Sequence, residues 1–357
     1  MGFNAEVKSI RVRMHKMKSQ PLNSAPNKGE DYFHNEIMQH GRVQVEATDA
    51  DQHAHNLTNW QQQYDQVSAG SFYGQVVEIQ FEGLQLFQEH TSQALRQTCN
   101  TWDQSLWLGI PVNQHQSSKI NGLSIDNNNI MCRPGNCEFE LVTPHDFDIY
   151  GLVVEQKKIQ SMAESQNISI NWNHLYQQGR LTLPEKTITA LRFVLNNLLS
   201  VSDSHQRPAK LQHDVIMMAL LESLENSQPV KNEPLSFFRR QQIVEHVKDY
   251  LRLHQDSAVT INDLCALSHV SRRTLQYSFE TILGISPLRY LRLSRLNGVR
   301  RELLANHTES IADIAAKWGF WHLSQFTQDY KQLFNELPSV TLGNRANRQK
   351  AALLVGA

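Results

Sequence analysis

Between Ile261 and Pro338 the chain is written twice. Ile261, Leu264, Cys265 and Val270 match Ile311, Ile314, Ala315 and Phe320 at an offset of 50 residues. One residue is then inserted, and Leu275, Phe279, Leu283 and Pro287 match Phe326, Tyr330, Phe334 and Pro338 at an offset of 51. Such repetition means that one supersecondary unit is used twice. Each unit reads as a short helix carrying a small residue (Cys265, Ala315), a turn, and a second helix. The small residue lets the two helices cross closely. Apolar residues at i, i+4 and i+8 bury one face of the second helix and leave the other free. This is the pattern of a helix-turn-helix, with Ser271 placed to cap the second helix and to set Arg272 and Arg273 in its first turn. A plain bundle of two similar hairpins is the alternative.

Between the units, SPLRYLRLSRLNGVRRELL interleaves Leu288, Leu291, Leu296, Val299 and Leu303 with Arg289, Arg292, Arg295, Arg300 and Arg301. A helix of this size is about 28 Å long, against roughly 34 Å for one turn of duplex DNA. It could seat two recognition helices in successive major grooves, with its arginines near the phosphates or simply on the surface.

Charge agrees with this division. The whole chain carries a formal net charge of -1. Ser236 to Ala357 holds 16 Lys+Arg and 10 Asp+Glu, whereas the preceding residues hold 18 and 25. A basic third beside an acidic remainder fits contact with a polyanion by one part only.

The remainder changes period along its length. Residues 1–40 hold Pro21, Pro26 and Gly29 without an apolar period and read as poorly ordered; Met14 and Met17 leave the true start open. From about Trp60 to Glu155 the period is two. Val77, Ile79 and Phe81 alternate with polar residues, Glu82-Gly83 turns the chain, and QALRQTC, SLWLGIPV, CEFELVT and FDIYGLVV follow. Short strands separated by turns predict a β-sandwich or small barrel. From about Ile159 the period becomes helical. Pro184 opens one helix with a stripe of Leu191, Val194, Leu195, Leu198 and Leu199, and a second carries Val215, Met218, Leu221 and Leu224. These helices either cover the β core or form a dimer seam. Residues 227–236, with Pro229 and Pro234, read as a linker.

The expected fold is therefore α+β: a β-rich N-terminal sensor domain (41–158), a helical connector (159–235), and an all-α C-terminal domain with two helix-turn-helix units (236–345), followed by a tail (346–357). Four cysteines without a pairing pattern, no apolar run of spanning length and no secretory leader predict a cytoplasmic protein off the membrane. Enzymatic motifs are lacking. His53, His55, His115 and His145 form no convincing metal set, and Cys132 and Cys137 stand alone as C-x4-C. There is neither a Gly-x-Ser-x-Gly elbow nor a phosphate-binding glycine loop. No metal or required cofactor is expected.

The text INDLCALSHVSRRTLQYSFETILGISPLRYLRLSRLNGVRRELL, followed by SIADIAAKWGFWHLSQFTQDYKQLFNELPS, resembles the AraC/XylS family of bacterial transcription regulators. The family has Phe where Tyr330 stands and usually Gly where Glu336 stands. The resemblance implies that the second helix of each unit enters the major groove of double-stranded DNA. Arg272, Arg273, Gln276 and Tyr277 are then the readers of the first unit, each arginine contacting either a guanine edge or a phosphate. His322, Ser324, Gln325, Thr327 and Gln328 are those of the second. Trp318, Phe320 and Trp321 are read as core or turn packing. Contact with RNA polymerase follows by the same resemblance, and a homodimer is expected from the two amphipathic helices of the connector.

In the N-terminal half, WQQQYDQ, FQEHT, ALRQTC, SLWLGIP and RPGNCEFELVTP resemble the ethanolamine-responsive members of this family. That implies an activator of ethanolamine catabolism genes that responds to ethanolamine together with adenosylcobalamin. No Asp-x-His-x-x-Gly cobalamin-ligand motif occurs. Trp60, Tyr64, Phe87, Arg96, Trp107 and Glu140 are the candidate effector residues, with core packing the alternative for the tryptophans. A different small amine or metabolite is the alternative effector, and a constitutive DNA binder is the alternative without one.

Overall fold

The computed structural model describes residues 41–112, 117–177, 179–200, 208–230, 233–254, 259–305 and 308–343. The segment 1–40, expected to be poorly ordered, and the tail 346–357 lie outside the described residues.

The N-terminal domain is built from two antiparallel sheets. Strands β1 (Arg42–Ala47), β3 (Gly74–Phe81), β4 (Leu84–Thr91), β11 (Phe147–Glu155), β6 (Ser105–Pro111), β9 (Asn129–Pro134), β12 (Arg180–Thr182) and β13 (Gln228–Pro229) form the first, in that order. The second has the order β2 (Gln61–Gln66), β5 (Leu95–Asn100), β10 (Phe139–Thr143), β7 (Ser118–Ile120) and β8 (Leu123–Ile125). The expected hairpin at Glu82-Gly83 is present, pairing Phe81 with Leu84, and Gly83 takes a left-handed φ of 73°.

The first sheet is buried on both faces, which changes the meaning of the alternation in β3. Val77 and Ile79 face a core shared with helices, while Val76 and the buried Glu78 turn the other way. The helices are α2 (Gln156–Ser165), α3 (Trp172–Gln177), α4 (Glu185–Leu199) and α5 (Ala209–Glu225). A short α1 (Ala50–His53) precedes β2, capped by Asp49. Helix α4 buries Leu191, Leu195, Leu198 and Leu199, as its period predicts. Helix α5 departs from expectation. It buries Ile216, Met217, Leu220, Leu221 and Leu224, leaving Val215 and Met218 exposed. Apolar residues occupy both of its faces, so periodicity alone does not choose the covered one. Strands β12 and β13 return to the first sheet from within the expected connector and linker, so this helical segment is stitched into the β domain.

Between the sheets Phe87 and Trp107 pack with Tyr64 and Phe139. Gly151 lies opposite Phe87 across the β4–β11 pair, and a Cβ there would fall 2.0 Å from the Phe87 ring, so only glycine admits it.

The C-terminal domain holds α6 (Leu235–Leu253), α7 (Ile261–Ser268), α8 (Arg272–Leu283), α9 (Pro287–Leu304), α10 (Ile311–Lys317) and α11 (Leu323–Phe334). Two cores follow the two repeats. Val244, Leu264, Leu275, Phe279 and Leu291 fill the first, and Leu296, Val299, Ile314, Phe326 and Tyr330 the second. Helix α9 spans both. Among the described residues no helix is long and apolar enough to cross a membrane.

Candidate nucleic-acid interface and its docked partner

The first unit is built by its caps. Thr260 and Asp263 form a reciprocal capping box that starts α7. His269 ends it in the left-handed region at φ 51°. Ser271 then accepts from the Thr274 amide, starting α8 as expected. Leu275, Phe279, Ile282 and Leu283 bury one face of α8, which leaves Arg272, Arg273, Gln276 and Tyr277 exposed together on the other. The Arg240 guanidinium sits over the Tyr277 ring at 4.5 Å, and the Gln276 amide donates to Glu280 at 2.9 Å. The Gln276 amide keeps its second N–H and its carbonyl oxygen for a base edge.

In the second unit Ser310 caps α10, Gly319 turns the chain at φ 78°, and α11 buries Phe326, Asp329, Tyr330, Leu333 and Phe334. His322, Ser324, Gln325 and Gln328 are exposed and Thr327 half-buried. Gln325 donates to Asp329 at 2.9 Å, and the Thr327 hydroxyl to the Leu323 carbonyl at 2.8 Å. Trp318 and Phe320 pack against the second core as expected. Trp321 does not: it is 72% exposed.

Both departures from the family pattern belong to one network. The Tyr330 hydroxyl lies 2.9 Å from Thr341 Oγ1, and Thr341 donates to Glu336 at 2.7 Å. Arg300 binds Glu336 at 2.6 Å and Asp49 of the β-rich domain at 2.5 Å. Burial pushes the Tyr330 hydroxyl up to about 12.

Most of the connector arginines, expected near phosphates or on the surface, are engaged within the protein. Arg300 is taken up by Asp49 and Glu336, Arg301 by Asp65, and Arg292 by Asp329; Arg295 donates to the Val259 carbonyl at 3.0 Å. Arg289 and Arg292 keep exposed side chains. For Arg300 and Arg301 the reason is that the β-rich domain packs against α9. Asn297 exchanges two hydrogen bonds with the Gln66 backbone, at 2.9 and 3.0 Å. Lys119 donates to the Thr281 and Ile282 carbonyls at the end of α8 (3.1 and 3.3 Å), where a cation meets the unpaired carbonyls of the last turn. Lys248 of α6 pairs with Glu140 at 2.8 Å. Burial lowers the Lys248 ammonium, but Glu140 and Glu245 more than offset it and hold it above its ordinary value.

The six effector candidates are not brought together. Trp60, Tyr64, Phe87 and Trp107 lie between the sheets. Arg96 and Glu140 point from the opposite face of the second sheet into a cleft of about 450 Å³ against the C-terminal domain, lined also by Lys248, Tyr290 and Arg301. Tyr64 lies on the opposite face of the second sheet from Arg96 and Glu140 because strand residues alternate sides, whereas Phe87 and Trp107 belong to the first sheet. Sequence reasoning missed the acids of the interior. Glu78 and Glu89 are both buried between the sheets. Glu89 accepts from Tyr64 at 2.9 Å and lies 3.1 Å from His53. Glu78 accepts from Gln85 at 2.6 Å and from Thr58 at 3.1 Å, and Gln85 accepts from Trp60 at 2.9 Å. The alternation in β3 and β4 carried that signal, once both faces are known to be covered.

A helix-turn-helix domain family matches residues 264–344. The XylDLEGF operon transcriptional activator 2 of Pseudomonas putida is 32% identical over 131 residues, which cover 36% of this chain and 80% of that protein. The probable thc operon regulatory protein of Rhodococcus erythropolis is 36% identical over 102 residues, spanning 28% of this chain and 31% of that protein. Among solved structures, a probable AraC family transcriptional regulator from Rhodopseudomonas palustris CGA009 is 28% identical, covers 29% of this chain and 97% of that one, and superposes with a TM-score of 0.28, too low to carry an argument. With a relative matched at this identity over four fifths of its length, and two helix-turn-helix units joined by one helix, the chain belongs to the AraC/XylS family of transcriptional regulators.

Proposed function

We propose that the protein is a sequence-specific DNA-binding regulator of transcription, an activator, in which a small molecule sets how the β-rich domain docks on the DNA-binding domain. The observation that carries this reading is the pair of exposed recognition faces on α8 and α11, joined by a connector helix that the β-rich domain holds. A ligand that binds one domain arrangement better than the other shifts the population between them, and with it DNA affinity.

The effector we propose is a small amine, with ethanolamine the first to test. Resemblance of the N-terminal strings supports it, and so does the chemistry between the sheets. There, buried Glu78 accepts only from neutral donors among the described residues, with Phe87 opposite it across the β3–β4 pair and the Trp60 indole linked to it through Gln85. A carboxylate with aromatic faces is suited to an ammonium group. Adenosylcobalamin does not fit the interdomain cleft, because about 450 Å³ holds a drug-sized molecule and not a corrinoid with its side arms. It enters the proposal as a co-effector to be tested.

A homodimer is proposed through α5, where Leu211, Val215 and Met218 recur at i, i+4 and i+7 on the exposed face. Contact with RNA polymerase is proposed on family grounds. The test is DNA affinity at fixed salt, on promoter regions near the gene and on sites selected from randomised duplexes, with ethanolamine, adenosylcobalamin, both and neither. A change in affinity with ethanolamine supports the amine reading. Specific binding that ignores all of them keeps the regulator and discards this effector. Absence of any specific site sinks the DNA-binding reading.

A further inference from the structure

The residue inserted in the second repeat is Trp321. Val270 and Phe320 correspond at an offset of 50, and the helix caps Ser271 and His322 at 51, so the extra position is the one between Phe320 and His322. In the first unit the chain passes directly from Val270, packed against its core, to the cap. In the second, Phe320 fills the corresponding place, with its ring 5.1 Å from that of Phe326. Gly319 has already turned the chain at φ 78°. The added residue therefore points outward, and its indole is 72% exposed immediately ahead of α11. Among the described residues no hydrogen bond or ring contact engages it. Two positions on, Leu323 opens α11 and is 46% exposed.

These apolar groups stand at the end of the recognition helix that meets base edges in this type of motif. Beside them the Gln325 amide and the Thr327 hydroxyl each already donate one hydrogen bond within the protein, to Asp329 and to the Leu323 carbonyl. The first unit, by contrast, offers Arg272 and Arg273. One apolar feature distinguishes base pairs in the major groove, the 5-methyl group of thymine.

We propose that Trp321 is a specificity-determining residue of the second unit that reads thymine by packing its indole on the 5-methyl group, with Leu323 extending the same apolar surface. This rests on the DNA-binding reading above. A helix seated in the groove carries Trp321 in with it. A protein partner for the same indole is the competing occupant.

The experiment uses the full chain and a site selected from randomised duplexes, measured by fluorescence anisotropy at fixed salt. Thymines in the half bound by the second unit are replaced one at a time by deoxyuridine, which removes only the methyl group. For the wild type, one or two positions are expected to lose about fourfold in affinity each, the equivalent of ~0.8 kcal/mol for one buried carbon. Trp321→Ala is expected to lose about tenfold or more on the thymine site, in line with burial of a large side chain, and to bind thymine and uracil sites alike. Arg273→Ala should weaken binding yet keep the discrimination. Trp321 is exposed, so its replacement leaves the fold intact. The proposal is overturned if Trp321→Ala binds DNA as the wild type does, or weakens while discriminating as before. It is also overturned if that variant keeps its DNA affinity but loses transcription activation with purified polymerase, which assigns the indole to a protein partner. Failure to select any site with the wild type sinks the DNA-binding reading instead.

Discussion

Asp65 of β2 holds Arg301 of the connector helix at 2.7 Å while it binds Arg96 of β5 on its other oxygen. One buried carboxylate thus joins the second sheet to the helix that links the two DNA-reading units. Burial pushes its carboxyl up, but Arg96 and Arg301 more than offset this and hold it below the ordinary carboxylate value. Removing one partner of such a pair leaves buried charge uncompensated, typically at about 3–5 kcal/mol. Asp65→Asn is therefore expected to loosen the docked arrangement, seen as a lower Tm and faster protease cleavage between the domains. An unchanged Tm together with unchanged cleavage would count against the latch. The pH dependence has a fixed sign. A depressed acid contributes stability above its unfolded value of about 3.9, and loses it as pH falls through the lower folded value. Acid undocking in that window should be present in the wild type and absent in Asp65→Asn.

Arg273 is exposed in the first turn of α8 and lacks a carboxylate partner among the described residues. Arg273→Ala should cost roughly 1–3 kcal/mol on the selected site if the guanidinium pairs with a guanine edge. Stability should not change. An equal loss on random DNA reassigns the residue to the phosphates.

How much of this was legible beforehand follows from what a repeat can encode. Leu275, Phe279 and Leu283 recur with Phe326, Tyr330 and Phe334, so both recognition helices and their buried faces were readable. Ser271 was readable as a cap because its role is local. Local patterns do not say which of two surfaces another domain covers. Arg300 and Arg301 looked like phosphate contacts because Asp49 and Asp65 lie more than 200 positions away in the chain. Val215 and Met218 were read on one stripe with Leu221 and Leu224, but this helix is apolar on both faces and only the latter two are buried. Trp321 was read as packing because an aromatic near a turn usually packs, and only the one-residue insertion marks it as different. The effector candidates were grouped by type, whereas Trp107 stands on the first sheet facing the core between the sheets, and Arg96 and Glu140 lie on the second sheet and line the cleft beyond it.

Tyr330 carries a hydroxyl where the family has none, and Thr341 and Arg300 lie 2.9 and 3.4 Å from it. Tyr330→Phe keeps the ring and removes one or two hydrogen bonds, so about 1 kcal/mol of stability should be lost. A double-mutant cycle with Thr341→Val should be non-additive, since both residues share one bond. Full additivity in chemical denaturation would dissolve the network.

If the exposed stripe of α5 is the seam between two copies, Met218→Glu places a charge in it. Because Met218 is 44% exposed in the single chain, the monomer should fold with stability close to the wild type. Sedimentation velocity should show a dimer for the wild type and a monomer for the variant. Two identical sedimentation profiles would remove α5 from the interface.

Gly298 lies buried in the interior of α9, where glycine is a poor helix former by about 1 kcal/mol relative to alanine. On propensity alone Gly298→Ala should stabilise the connector. The Trp318 ring decides otherwise, because a Cβ at position 298 would lie 2.3 Å from its Cη2. An indole packed against the second core cannot yield as the tip of a flexible side chain can, and overpacking of this kind costs about 1–3 kcal/mol. The contact cost should outweigh the helix gain, lowering Tm and shifting tryptophan fluorescence as the indole is displaced. Since Trp318 stands in the turn that leads to α11, DNA affinity should fall through the second unit, while the contribution of Arg273 stays as in the wild type. A raised Tm would mean that α9 and Trp318 can separate freely, and that the close approach seen here does not hold the second unit against its connector.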